Sequence, residues 1–428
     1  MATAENIRAE RLIGTRGISH RIASNISWAV VSQVGGKGLF FLVTVYWARV
    51  LGVENYGLIT YAQSIVLYFW LAVDLGVNMY GSREIARAKS EAPDIINPLL
   101  TLRIISGFIV FLIFMSVLNL FVHSSIQRLL FTGCAFYLIT RSISIDWVMS
   151  GFEKFKYIAI SNFTTFISML LMMLVLVKDK DDLVKASFLW SLCYLFGGIV
   201  LLVFLYNKFG IRFKPVFHIK TWLFHLRKSI HFTISGGLSA LSQYLPIIYL
   251  GIFASPKEVG LFSAPYGLIF AIIFVLSLLS YSMYPILSEL YSAEKIMFRK
   301  LHNIYLLAAI LMGLCIALVG HIFARKIILL FYGNNYEESI ALFKILVWFV
   351  FLYSIRSVYG IVIAASGLQK FYTLASTFAV IFFTTVFFLL KFLFHVSYPV
   401  SACISLLGTE IGTILILRSI WELKSEKY

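Results

Sequence analysis

Lys37, Arg103, Arg141, Lys344 and Arg356, with Asp74, Asp146 and Glu410, stand inside apolar stretches of this 428-residue chain. Charged groups at bilayer depth are costly and normally face a hydrated cavity or a partner of opposite sign. Here the bases outnumber the acids. That excess suits an anion, for which arginine offers forked donors and lysine a compact point charge. A lone buried carboxyl in such a setting is instead a candidate for proton exchange.

These positions are unequal. Lys37 falls about ten residues into the first apolar stretch, close to the midplane, on one helical face with Asn25, Gln33 and Thr44. It is the foremost cavity-lining cation, and pairing with an acid of another helix is the alternative. Asp74, with Gln63, Trp70 and Asn78 on its face, is that partner, a proton carrier, or both. Arg356 and Lys344 share one stretch but point about 120° apart on an ideal helix, and Lys344 can snorkel outward. Arg103 lies near a helix end, where snorkelling outweighs function. Arg141 and Asp146, five residues apart, read more as a structural anchor than as ligands. Glu410 stands alone among Gly408, Thr409 and Gly412, so ion coupling and a salt bridge to an unidentified base are equal readings.

The elements that hold these residues follow from composition. Hydrophobic residues make up 60% of the chain, aromatics 16% and charged residues only 13%, against about 25% charged in soluble domains. This excludes a soluble domain. Although the net charge is +16, the bases gather in short loops between apolar runs, where they set membrane topology; nucleic acid is accordingly not an expected partner. Cys134, Cys193, Cys315 and Cys403 lack disulfide or metal-ligand spacing.

Apolar stretches of spanning length lie at about 28–50, 58–79, 99–122, 128–149, 158–177, 184–206, 229–253, 261–286, 303–324, 338–365, 371–394 and 398–420. The pattern predicts an all-α polytopic membrane protein with 12 transmembrane helices in two six-helix lobes and both termini cytoplasmic. Bases concentrate in the inner connections, from Arg83, Arg87 and Lys89 to Lys370, as the positive-inside rule requires. Residues 1–27 form a cytoplasmic basic segment, 28–206 the N-lobe, 207–228 an interfacial linker, 229–420 the C-lobe and 421–428 a cytoplasmic tail. Two polar stripes mark helices 7 and 8 as gating elements. One runs through Ser239, Ser242, Pro246 and Tyr249, where Pro246 should kink its helix; the other carries Ser277, Tyr281, Tyr284 and Ser288.

Internal repetition supports two halves. Ser150-Gly151-Phe152-Glu153-Lys154-Phe155 recurs as Ser366-Gly367-Leu368-Gln369-Lys370-Phe371, and Glu54-Asn55-Tyr56-Gly57-Leu58 recurs as Glu258-Val259-Gly260-Leu261. With six helices in each half, both copies of a motif fall on one side of the membrane. The halves are then parallel repeats about an axis along the membrane normal, a transporter's plan with substrate between them.

Three stretches carry a more specific likeness. They are Ala48 to Gly57 (Ala-Arg-Val-Leu-Gly-Val-Glu-Asn-Tyr-Gly), Ser82 to Arg87 (Ser-Arg-Glu-Ile-Ala-Arg) and Asp146 to Tyr157. Together they resemble signatures of the bacterial polysaccharide flippases, the Wzx-type O-antigen transporters of the multidrug/oligosaccharidyl-lipid/polysaccharide exporter superfamily. The resemblance implies a central cavity that opens alternately to either side of the bacterial cytoplasmic (inner) membrane. It further implies an undecaprenyl-pyrophosphate-linked oligosaccharide as substrate, other polysaccharide assembly proteins and membrane lipid as partners, and no cofactor, metal or catalytic residue. Sugars and a pyrophosphate lose their hydrogen bonds in hydrocarbon, so a hydrated groove must replace them. Lys37, Gln33, Asn25, Arg356, Lys344 and Arg141 are its candidate lining, Asp74 and Glu410 its ion-coupling candidates, and Ser239, Pro246, Tyr281 and Tyr284 its gating residues. A cation-coupled small-molecule or multidrug exporter of the same superfamily is the second reading.

Overall fold

The computed structural model describes the backbone of residues 2–425. Side chains of residues 2–26, 29, 33, 231, 234–236, 238–241, 281, 282, 285, 292, 369, 370, 424 and 425 lie outside the description. The expectations for the basic N-terminal segment, the extreme C-terminal tail, Asn25, Gln33, Ser239 and Tyr281 therefore fall outside it too.

In lipid every backbone N–H and C=O must be satisfied internally, which leaves a chain this apolar with the helix. The described residues form α1 (Ala2–Asp74), α2 (Val77–Arg87), α3 (Ala92–Phe121), α4 (Ser125–Thr140), α5 (Asp146–Gly151), α6 (Phe155–Leu176) and α7 (Leu183–Phe209). The second half supplies α8 (Ile219–Phe253), α9 (Pro256–Ala293), α10 (Lys295–Ile322), α11 (Ala324–Tyr332), α12 (Ser339–Ala365), α13 (Gln369–Phe392) and α14 (Tyr398–Ser425). Among the described residues ten stretches are long and apolar enough to cross a membrane, the 58-residue Val30–Arg87 being one of them. At 1.5 Å per residue that stretch far exceeds a hydrocarbon core of about 30 Å. Outward-facing Leu112, Leu120 and Ile381 are each more than half exposed, as lipid-facing side chains are.

Several elements depart from the sequence expectation for visible reasons. The first two expected spans are one element, α1, broken at Gly52 by φ 78 and ψ 172. Its second arm stops at Asp74, because Leu75 and Gly76 turn left-handed at φ 49 and φ 72. The expected span 128–149 is not continuous. It breaks after Thr140, passes through a tight turn at Arg141–Ile143 and an extended Ser144, and resumes as α5. Side chains cover the interruption: Arg141 pairs with Asp146 and donates to Ser144 Oγ at 3.0 Å, and Arg103 Nη1 donates to the Ser144 carbonyl at 3.0 Å. Helix α11 was not anticipated. The expected linker 207–228 ends in helix, since α8 begins at Ile219, and Pro246 lies buried within α8 without dividing it.

Two of the sequence signatures meet. The Trp147 ring fills the space that a Cβ on Gly81 would take, its nearest atom 2.4 Å away, and Gly151 lies against Ile85 and the Ser82 carbonyl in the same manner. Thus α2 and α5 lock together around fully buried Trp147 on the side of the molecule that bears the 210–218 connector. The connector is tied there as well, Asn97 Oδ1 accepting from the Lys214 N–H at 3.0 Å, and at the start of α8 His225 Nδ1 lies 3.0 Å from Tyr80 Oη.

The third signature seals the opposite side. Arg49 donates to the carbonyls of Leu330 and Phe331 at the end of α11, and the Ala48 carbonyl accepts from Tyr336 Oη at 3.1 Å. Here α1 and α9 cross backbone to backbone. A Cβ on Gly57 would stand 2.0 Å from the Pro256 carbonyl oxygen, and one on Gly260 would stand 2.0 Å from that of Val53. One turn further on, Thr60 Oγ1 lies 3.1 Å from Ser263 Oγ. Val53 matches Pro256, Gly57 matches Gly260 and Thr60 matches Ser263 at one constant separation, so the contacts between the two copies are reciprocal, as across a local two-fold axis.

The longer repeat also has a structural counterpart, in a shifted register. The N–H groups of Phe152, Glu153, Lys154 and Tyr157 reach back to Val148, Ser150, Met149 and Lys154. Those of Ser366, Gly367, Leu368 and Phe371 reach back to Val362, Ala364, Ile363 and Leu368 by the same steps. Glu153 at φ 59 therefore corresponds to Gly367 at φ 74. The Ser150 and Ser366 of the sequence match lie two positions apart in this alignment.

Candidate functional site

A cavity of about 880 Å³ lies within the second half of the chain, walled by α8, α9, α12, α13 and α14 and closed on one flank by Val30 and Lys37 of α1. Helix connectivity puts the lining residues Tyr372, at the start of α13, and Thr413, well along α14, toward the connector side. The glycine crossing closes the other side.

Lys37 exposes its side chain here, with Nζ 3.9 Å from the centroid of the Phe274 ring, a cation–π contact. Among the described residues no carboxylate stands within ion-pair distance of it. Arg356 shares the cavity but is not a free cation. Its Nε donates to Glu410 Oε2 at 2.6 Å, its Nη1 to Tyr372 Oη at 3.4 Å, and its guanidinium carbon lies 4.8 Å from the Tyr353 ring centroid. Glu410 therefore does not stand alone, as its sequence neighbourhood suggested; the salt-bridge reading is the observed one. The pair is largely enclosed, with 19% and 9% of the two side chains exposed.

The remaining candidates are brought elsewhere. Asp74 is not Lys37's partner: it pairs with Arg103 at 3.1 Å. Arg103 in turn does not snorkel, being 3% exposed with its guanidinium 4.9 Å from the Trp70 ring centroid. Arg141 pairs with Asp146 against Tyr194, outside the cavity, which matches the anchor reading. Lys344 is exposed on α12 away from the cavity lining, and its carbonyl oxygen lies 3.2 Å from His321 Nδ1. Of the gating candidates, Pro246 is buried beside the lining residue Leu245, and Tyr284 is 39% exposed outside the lining.

The Arg103–Asp74 and Arg141–Asp146 pairs neutralise one another inside the first half of the chain. Removing one partner of a buried pair leaves an uncompensated charge in low dielectric. Asp74→Asn is expected to lower stability by about 3 kcal/mol, the lower end for a buried pair because Asp74 keeps some exposure. Thermal unfolding of the purified variant in detergent would check this; an unchanged midpoint would mean that Arg103 is held by its other contacts.

Sequence reading missed Tyr353, Tyr372, Ser376, Thr409 and Thr413 in the lining. A signal existed. Tyr353 with Arg356, Tyr372 with Ser376, and Thr413 with both Thr409 and Glu410 lie three or four positions apart, which places them on common helical faces.

This arrangement is that of a multi-pass membrane protein with a largely apolar cavity between helices that carries a few charged and hydroxyl side chains. The fold is similar to the inward-facing conformation of a multidrug resistance MATE family transporter of the MOP superfamily (TM-score 0.73, 13% identity, 93% of this chain and 99% of that one). The outward-facing conformation of such a transporter gives 0.62 (13% identity, 94% and 97%). The lipid II flippase MurJ in an inward closed conformation gives 0.69 (14% identity, 92% and 87%). Residues 22–291 match the model of the polysaccharide biosynthesis protein family, and the chain belongs to that family. It is 25% identical over 400 residues to the "Putative O-antigen transporter" of Escherichia coli (strain K12), covering 90% of this chain and 93% of that protein. A Shigella dysenteriae protein of the same name is 26% identical over 310 residues, covering 71% and 76%.

Proposed function

We propose that this protein is a flippase that carries undecaprenyl-pyrophosphate-linked oligosaccharide units of a surface polysaccharide across the bacterial cytoplasmic membrane. The observation that carries the reading is Lys37: a cation with no carboxylate partner among the described residues, open to a hydroxyl- and aromatic-lined cavity. A pyrophosphate offers only acceptors and negative charge, which an unneutralised ammonium in a low-dielectric wall attracts strongly. The names of the curated relatives and the MurJ fold likeness support it.

Alternating access supplies the movement. The glycine crossing shuts the side opposite the connector, and the higher TM-score to an inward-facing conformer agrees with a cavity open to the cytoplasm. Opening the crossing would expose the cavity outward while two six-helix lobes, residues 28–206 and 229–420, rock against one another around the site. The polyprenyl tail stays in lipid throughout. No step in this cycle makes or breaks a covalent bond.

A cation-coupled small-molecule exporter would need a free acid in the cavity to attract an organic cation. Glu410, the cavity's carboxylate among the described residues, is held by Arg356, which favours the flippase. Deleting the gene is expected to accumulate unflipped lipid-linked repeat units in the inner leaflet and to remove surface polymer, both reversed by the plasmid-borne gene. Normal surface polymer in the deletion strain would overturn the proposal.

A further inference from the structure

The cavity's two charged centres differ in kind. Lys37 is a donor alone. Arg356 and Glu410 are a donor and an acceptor held side by side, with Tyr372 Oη beside them and the Tyr353 ring against the guanidinium. We infer that these two centres divide the substrate headgroup, Lys37 receiving the pyrophosphate and the Arg356–Glu410 pair receiving a sugar; this rests on the flippase reading above.

Hydrogen-bond inventory makes the division. Phosphate oxygens only accept at neutral pH, so a phosphate beside Glu410 would face a carboxylate that also only accepts, with like charge. A sugar hydroxyl both donates and accepts. It can give its proton to Glu410 while a ring or neighbouring oxygen takes an N–H from Arg356. Two of the five guanidinium N–H donors are engaged, by Glu410 and Tyr372, and the side chain retains 19% exposure toward the cavity. The ion pair is neutral overall, so it adds no net attraction for phosphate. Ser376, one turn from Tyr372, and Thr409 and Thr413, flanking Glu410 on α14, surround the pair with further hydroxyls.

Arg356 and Glu410 satisfy each other when no sugar is present, so the empty site leaves neither group unpaired. The resting pair is thus the substrate-free form of the sugar site. Binding exchanges part of that contact for two contacts to the hydroxyl.

The test uses full-length protein in nanodiscs and two probes: undecaprenyl pyrophosphate without sugar, and the same lipid carrying one N-acetylhexosamine. For Glu410→Gln, which leaves the Arg356 charge unneutralised, we expect affinity for the bare lipid to hold or rise. Affinity for the sugar-bearing lipid should fall by about tenfold or more, the scale of one charge-assisted hydrogen bond. Tyr372→Phe, a milder change that keeps the ring, should show the same selectivity with a smaller loss. Lys37→Met should weaken both probes by a similar factor. Equal effects of Glu410→Gln on the two lipids would overturn the inference and make Glu410 a counter-ion only. Wild-type protein that binds neither lipid would overturn the flippase reading itself.

Discussion

Leucine in place of Gly57 is expected to leave the protein at normal levels in the membrane and to reduce surface polysaccharide to background. The Cβ of any residue there would sit 2.0 Å from the Pro256 carbonyl oxygen and 2.7 Å from the Gly260 nitrogen. Both obstacles are backbone, so no side chain can swing away. Overpacking of this kind costs about 1–3 kcal/mol where side chains yield and more where they cannot. In the proposed cycle the strain falls only on the state in which α1 and α9 are crossed, because that cycle parts the two halves there. About 3 kcal/mol of bias shifts a two-state equilibrium more than a hundredfold. The variant should therefore stay open on the sealed side. In a cysteine-free background, Ser263→Cys should react with a membrane-impermeant thiol reagent when Gly57→Leu is present and resist it otherwise. Equal protection in both, with polymer intact, would show that the crossing yields without cost.

Lys37→Met is expected to reduce surface polysaccharide by about tenfold or more at equal protein level, and Lys37→Arg to retain most of it. Methionine keeps the length and much of the apolar stem of lysine and removes the charge, so packing against Phe274 persists. A hydrogen bond to a charged group contributes about 1.5–3 kcal/mol, or roughly ten- to 150-fold in affinity. Gel profiles of surface polysaccharide beside a membrane blot read the result. Unchanged polymer in Lys37→Met would remove this residue from the site and with it the observation on which the flippase reading chiefly stands.

Much of the architecture was legible because hydrocarbon leaves few choices. Long apolar stretches predicted helices, and α6, α7, α12, α13 and α14 begin and end close to their expected bounds. Breaks were harder to see. The interruption at Ser144 depends on Arg103, which is remote in sequence and supplies a donor to a carbonyl that the helix no longer satisfies. The glycine at position 52 carries the torsion that breaks α1, yet in sequence it reads as part of a loop signature. Which charges line the cavity could not be read, because pairing is a three-dimensional fact. Asp74 and Arg103, 29 positions apart in the chain, and Arg356 and Glu410, 54 apart, became neighbours only when their helices packed. Lys37 could be singled out from the sequence for a simple reason: it lies mid-helix in a chain with few acids to pair it.

The reciprocal contact of Gly57 with Pro256 and Gly260 with Val53 has the form of an isologous dimer interface, in which residue i meets j and j meets i. Such an interface is self-complementary before it is internal. A six-helix ancestor bearing one copy of the motif could have paired with itself through this crossing, and gene fusion would have preserved the contact while releasing each side to change independently. The symmetry is seen where α1 and α9 cross. It is absent at the cavity, which is built mostly from the second half of the chain, with Val30 and Lys37 contributed from the first.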